Sequence, residues 1–138
     1  MVSAVRRSVP GMDIETWMRG YETAWRSNDG DDIGALFTDD AEYRTEPWTP
    51  PWHGRDEIVR RWIERADDPG GWTFSWHVAG VDAGTATAFV QGETRYGELA
   101  ITYSNLWVIR FADDGRAASF TEWWMDQAHA SEETEPTV

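Results

Sequence analysis

The hydrophobic period of this chain changes at Gly71, and that switch restricts its fold more than any other feature of the sequence. Before Gly71, Ile14, Trp17, Met18, Tyr21, Ala24 and Trp25 recur at helical spacing behind an N-cap at Asp13. Asn28-Asp29-Gly30 ends that helix, and Asp31 or Asp32 caps a second, short one carrying Ile33, Leu36 and Phe37. A strand from Asp40 to Glu46 follows, with Tyr43 and Thr45 on one face. Pro47 to Gly54 then form a stiff aromatic loop, because its prolines exclude a helix interior or a central strand. A third helix runs from Arg55 to Asp67. After Gly71 polar and apolar residues alternate in strands at about 72–82, 85–96, 99–111 and 116–127. Asp82-Ala83-Gly84, Gly97-Glu98 and the hairpin signal Asp113-Asp114-Gly115 divide them. Three helices followed by a run of antiparallel strands predict an α+β domain with the helices on one face of the sheet.

A chain of 138 residues supports one core. The domain is expected over 12–128, between a loose arm at 1–11 and an acidic tail at 129–138 expected to be disordered. There is no cysteine, so neither disulfides nor thiolate chemistry can act. No apolar run approaches the ~20 residues of a membrane span. Arg6 and Arg7 precede no apolar stretch of the secretory kind, so a cytoplasmic protein is expected. The net charge of −13, with Arg as the only basic type, argues against nucleic-acid and membrane partners, whose phosphates need clustered cations. Ten tryptophans are the anomaly. Each brings a large apolar area and one N–H that wants an acceptor when buried, so they pack a core or line a cavity.

Leu36-Phe37-Thr38-Asp39-Asp40-Ala41, His53-Gly54-Arg55-Asp56-Glu57-Ile58 and Arg110-Phe111-Ala112-Asp113-Asp114-Gly115-Arg116 carry a family resemblance in this order. The chain resembles the nuclear transport factor 2-like superfamily, in the branch of ketosteroid isomerases and SnoaL-like polyketide cyclases. The resemblance implies a cone-shaped, cystatin-like roll, with three N-terminal helices packed in a curved, mostly antiparallel sheet and a pocket open at one end. It places the isomerase's oxyanion-donating tyrosine on Tyr21. The general-base carboxylate falls on Thr45 and the second oxyanion donor on Trp107, so two of the three chemical groups are absent and a true ketosteroid isomerase is not expected. The same resemblance implies which side chains look inward. Tyr103, Asn105, Trp107, Ile109 and Phe111 share a face by period two, as do Phe120, Glu122, Trp124 and Asp126. Tyr21, Trp25, Tyr43, Thr45 and Trp62 complete an aromatic lining suited to a small apolar ligand.

Glu122 is the leading catalytic candidate, since a carboxylate between Phe120 and Trp124 is expensive to desolvate and burial raises its pKa. The structural alternative is a solvated Glu122, or one paired with Arg44 or Arg95. Asp126, nearer the rim, matches the acidic late-strand residue that the cyclase resemblance implies; otherwise it is a strand-end carboxylate in water. Tyr21 is either a donor to a substrate carbonyl or a core tyrosine bonded to Glu122 or Asn105. His53 sits where a residue caps and packs, His77 shuttles protons only if its face looks inward, and His129 belongs to the C-terminal end. No pair of histidines has metal-ligand spacing with a carboxylate, so no metal is expected. The Pro47–Gly54 loop reads as a lid, with Trp48 and Trp52 over the mouth, or as a dimer contact. Trp123 beside Leu106 and Val108 on the outer sheet face favours a homodimer. These residues lead to an expected cofactor-free isomerase, dehydratase or cyclase acting by acid–base chemistry on an apolar carbonyl compound. The competing readings are a non-catalytic ligand-binding module and an interaction domain whose cavity its own tryptophans fill.

Overall fold

A computed structural model describes residues 13–97 and 100–127; the expected arm, the tail and His129 lie outside the described residues. Helix α1 (Ile14–Ser27) starts where the Asp13 carboxylate accepts the Thr16 backbone N–H at 3.1 Å and its hydroxyl at 2.8 Å. It ends on Asn28, whose φ of 51° is the left-handed conformation that asparagine tolerates at helix ends. Helix α2 (Gly30–Gly34) is capped by Asp29 rather than by Asp31 or Asp32, whose N–H groups the Asp29 carboxylate accepts at 2.8 and 3.2 Å. Leu36 and Phe37 therefore lie beyond it.

Phe37 opens β1 (Phe37–Arg44), which starts three residues before the expected Asp40. A register shift between Phe37 and Glu42 breaks the alternation there, which is why period two does not reveal the strand's beginning. After the short β2 (Trp52–His53), α3 (Arg55–Glu64) stops three residues short of the expected Asp67. Two forces end it early. Asp68 precedes Pro69, which disfavours helical backbone, and three side chains outside α3 hold Asp67 out of the helical path.

The remaining strands are β3 (Trp72–Asp82), β4 (Thr87–Tyr96), β5 (Ile101–Phe111) and β6 (Ala117–Asp126). The described residues form one six-stranded sheet in the order β2-β1-β6-β5-β4-β3. Every pairing is antiparallel except β1 with β6. This is the α+β roll expected from the sequence. The parallel β1–β6 pair matters for the site because it sets Tyr43 opposite Phe120.

The core is an aromatic stack between α1 and the sheet. Trp17 donates its indole N–H to the Leu36 carbonyl at 2.9 Å, which satisfies a buried donor. Tyr21 and Tyr43 stack on the fully buried Phe120, with centroids 5.6 and 4.6 Å away. Trp25 stacks on Trp72 at 3.8 Å and Phe74 on Trp107 at 5.0 Å. Gly92 makes room for that second pair. A Cβ there would approach Phe74 Cε1 to 2.7 Å and the Ser75 carbonyl oxygen to 3.1 Å. Gly92→Ala is therefore expected to cost about 1–3 kcal/mol by overpacking, read as a lower denaturant midpoint. An unchanged midpoint would mean that the Phe74 ring yields freely. No helix among the described residues is long and apolar enough to cross a membrane.

Candidate functional site

The open end of the roll holds a cavity of about 330 Å³, at the small end of the range for ligand pockets. Its walls come from α1 (Tyr21, Trp25), β1 (Tyr43) and Trp62 of α3, with Trp107 of β5 and Glu122 and Trp124 of β6. Thr45, just past β1, and Trp52 of β2 also line it.

Glu122 is where the chemistry concentrates. Its Cα pairs with Trp107 across the β5–β6 ladder, so its side chain faces inward as the alternation predicts. Neither Arg44 nor Arg95 reaches it; those pair with Glu42 and Glu93 on their own strands. Asn105 Nδ2 donates to Glu122 Oε2 at 2.8 Å, and Asn105 Oδ1 accepts the Thr94 hydroxyl at 2.9 Å. Because Thr94 occupies the Asn105 oxygen, the amide is oriented with its nitrogen toward the carboxyl. The Trp107 indole N–H also favours the charged carboxyl, but its geometry falls short of a hydrogen bond and the buried donor has no other partner. Removal from water outweighs these two donors and pushes Glu122 up to about 7, with the charges of Glu46 and Asp67 adding to the rise.

Tyr21 and Tyr43 meet hydroxyl to hydroxyl at 3.2 Å. Neither Glu122 nor Asn105 bonds Tyr21, contrary to the core alternative. Burial, and then nearby negative charge, raises both phenols above their ordinary value, so both stay neutral donors at physiological pH. One O–H is spent within the pair, which leaves the other to donate to a ligand.

Trp25, Thr45, Trp62, Asn105, Trp107 and Trp124 line the cavity as expected. Phe120 does not: it is fully buried behind the two tyrosines and supports the wall. Asp126, whose Cα pairs with Tyr103, lies outside the cavity lining. His77 points away from the cavity, exposed and 2.9 Å from Gln91 Oε1, and His53 is exposed on the edge strand. Trp48 is 78% exposed rather than closed over the mouth, whereas Trp52 stacks on Tyr43 at 4.8 Å with Arg65 5.6 Å from its ring. No group of three or more His, Asp or Glu side chains among the described residues is placed to hold a metal ion.

Sequence reasoning missed Glu46, Arg65, Asp67, Thr94 and Tyr96, all of which line the cavity. Thr94 and Tyr96 carried a usable signal, since they continue the face of Val90 by period two. Asp67, in an Asp-Asp-Pro-Gly turn, carried none.

A family model for the SnoaL-like domain matches residues 18–120. No curated protein matches the chain. A steroid delta-isomerase from Pseudomonas aeruginosa is similar over 91% of each chain, with 19% identity and a TM-score of 0.63. A protein of unknown function with a cystatin-like fold from Methylobium petroleophilum covers 91% of this chain and 78% of its own, at 16% identity and a TM-score of 0.62. The epoxide hydrolase/cyclase-like enzyme SalBIII, described with pyran ring formation in the polyether salinomycin, covers 80% of this chain and 89% of its own, at 14% identity and a TM-score of 0.63. At these identities the likeness is one of fold.

Proposed function

This chain belongs to the SnoaL-like domain family, and from that premise we propose that it is a cofactor-free acid–base catalyst acting on a small, mostly apolar carbonyl compound. The observation that carries this reading is Glu122, an inward-facing carboxyl pushed up to about 7 that shares one aromatic cavity with the Tyr21–Tyr43 hydroxyl pair. A carboxylate poised near neutrality can take a proton and return it. In the proposed step, Glu122 removes a proton from the carbon next to the ligand carbonyl. The C–H bond breaks, its electron pair forms the carbon–carbon double bond, the carbonyl π pair moves onto the oxygen, and the free tyrosine O–H donates a hydrogen bond to the resulting enolate. Glu122 then returns the proton to another atom, which completes an isomerisation or opens the way to elimination or ring closure. Trp62, Trp107 and Trp124 hold the ring system against their faces.

A binding module without chemistry is the second reading. It is favoured by the polar groups of the tyrosine pair being partly spent on each other and by Thr45, which bonds Glu46 at 2.7 Å instead of offering a base. A thermal-shift screen of aromatic ketones and polyphenols tests the ligand class shared by both readings. A ligand at 100 times its dissociation constant adds about 2.7 kcal/mol, so a hit is plainly visible. Deuterium exchange at the carbon beside the carbonyl of each hit then separates catalyst from binder. Bound ketones that exchange no faster than in buffer would sink the catalytic reading.

The outer sheet face supports a further part of the proposal, that the protein self-associates through it. Trp123 and Met125 are 51% and 59% exposed there, and Trp123 pairs across the ladder with Leu106. Sedimentation velocity is expected to show a dimer that Trp123→Arg converts to monomer with ligand binding intact. A wild-type monomer at micromolar concentration would overturn it.

A further inference from the structure

We propose that Asp67 is a specificity-determining residue that anchors a positively charged nitrogen at the outer end of the ligand. The inference rests on reading the cavity as a ligand site but not on any chemistry at Glu122.

Asp67 is a loop residue just past α3, held by side chains from distant elements. Trp25 of α1 and Tyr96 of β4 both donate to its Oδ2, at 3.0 and 3.1 Å. The Asn28 amide donates to its carbonyl at 3.2 Å, and Trp62 in turn donates to Asn28 Oδ1 at 3.2 Å. Two side chains, one from α1 and one from β4, thus fix the carboxylate on the cavity wall, and Asn28 holds its backbone. Its Oδ1 accepts no hydrogen bond from the described residues, and no described arginine forms an ion pair with it. Buried carboxylates are ordinarily paired, so this part-buried one leaves a place for a cation.

The surroundings agree. Glu46 and Glu122 are the other acidic residues of the lining, and Arg65 is its basic one, with the guanidinium set toward the Trp52 ring rather than in an ion pair. Aromatic faces attract cations, and Arg65 already shows the mouth accepting one in this way. At the inner end, by contrast, the buried Trp107 N–H lacks an acceptor. Buried donors ordinarily have a partner, and a ligand oxygen near Glu122 would supply one. The ligand would then be bipolar, with an oxygen inside and an ammonium group outside. Accepting from Trp25 and Tyr96 is a structural duty that an asparagine oxygen performs equally well. The negative charge is needed only for a cation.

Three naphthalene probes test this: 2-naphthylmethylamine, 2-methylnaphthalene and 2-naphthoate. Their dissociation constants would be measured by calorimetry at about pH 5.5, where Glu122 is mostly uncharged. The ammonium is expected to bind about tenfold tighter than the neutral probe, which is 1.4 kcal/mol, and naphthoate weakest. Asp67→Asn is expected to remove the ammonium's advantage and leave the neutral probe unchanged. Should that variant misfold, the wild-type Trp25 indole N–H resonance serves instead, since it should move on adding the ammonium and not on adding the hydrocarbon. Equal or tighter naphthoate binding, an ammonium preference surviving Asp67→Asn, a silent Trp25 resonance, or no binding by any probe each overturns the proposal. Glu122→Gln should keep the ammonium preference while losing exchange chemistry, so the two proposals fail separately.

Discussion

Glu122→Gln is expected to lower turnover of any ketone the protein processes by about 10²–10⁴-fold, the usual share of a positioned acid–base group. The amide keeps the shape and still accepts the Asn105 hydrogen bond of 2.8 Å, but it cannot take a proton. In the wild type, kcat/KM should rise with pH through about 7 as the carboxyl ionises to its basic form. The same variant carries a stability signature of opposite sense. Glu122 is raised in the folded state above its value of 4.5 in an unfolded chain, so the native protein binds the extra proton between about 4.5 and 7. Stability from this group is therefore fully present below 4.5 and is lost as the pH rises through 7. At pH 8 the wild type bears the cost of a desolvated charge that glutamine does not, so Glu122→Gln should raise the melting midpoint there. The gain is expected to be on the order of 1–3 kcal/mol, and to shrink at pH 5. A gain of equal size at both pH values would show that packing, not ionisation, differs between the two side chains. Turnover unaffected by the change would remove Glu122 from the mechanism.

Phe120→Ala is expected to have the largest effect on stability, about 3–5 kcal/mol. Phe120 has no exposed surface and contacts rings on every side: Tyr21 and Tyr43 stacked, Trp107 tilted at 5.3 Å and Trp17 at 6.1 Å. Those neighbours are rigid and interlocked, so the hole has little means of closing. A loss of this size is a large part of the 5–15 kcal/mol that folds a typical domain. The ligand should be affected as well, because Phe120 is the support on which the paired hydroxyls rest. Denaturant unfolding with and without a ligand from the screen reads both effects. A cost below about 1 kcal/mol would mean that the tyrosines collapse inward, and ligand affinity should then fall sharply. The milder Phe120→Leu should keep both stability and binding closer to wild type.

Glu122 was placed inward by alternation together with the family resemblance, and the structure shows how far alternation reaches. Period two tells which face of a strand a side chain occupies, because successive Cβ atoms point to opposite sides. It put Tyr103, Asn105 and Trp107 on one face of β5, and with the resemblance that face and Glu122 look inward, where they are found lining the cavity. It does not tell depth. Phe120, Glu122, Trp124 and Asp126 share one face of β6, yet the first lies behind the wall, the next two line the cavity and the last is beyond it. Depth depends on where the helices cross the sheet, a relation between segments distant in sequence.

What the sequence alone determined here is whatever local chemistry controls. The helix start at Asp13, its stop at Asn28-Asp29-Gly30 and the Gly71 switch of period all follow from neighbours a few residues apart. The family motifs add the roll. Only the tertiary structure decided the site's working parts. Tyr21 meets Tyr43 across 22 residues of sequence, Trp25 meets Asp67 across 42, and Trp62 meets Asn28 across 34. Each contact joins a side chain to an acceptor or donor that no local pattern marks, because hydrogen bonds between distant segments leave no period in the chain. The pKa of Glu122 belongs to the same class. Its rise comes from burial that strands and helices distant in sequence create together, and a carboxyl in a sequence carries no record of how much water will reach it.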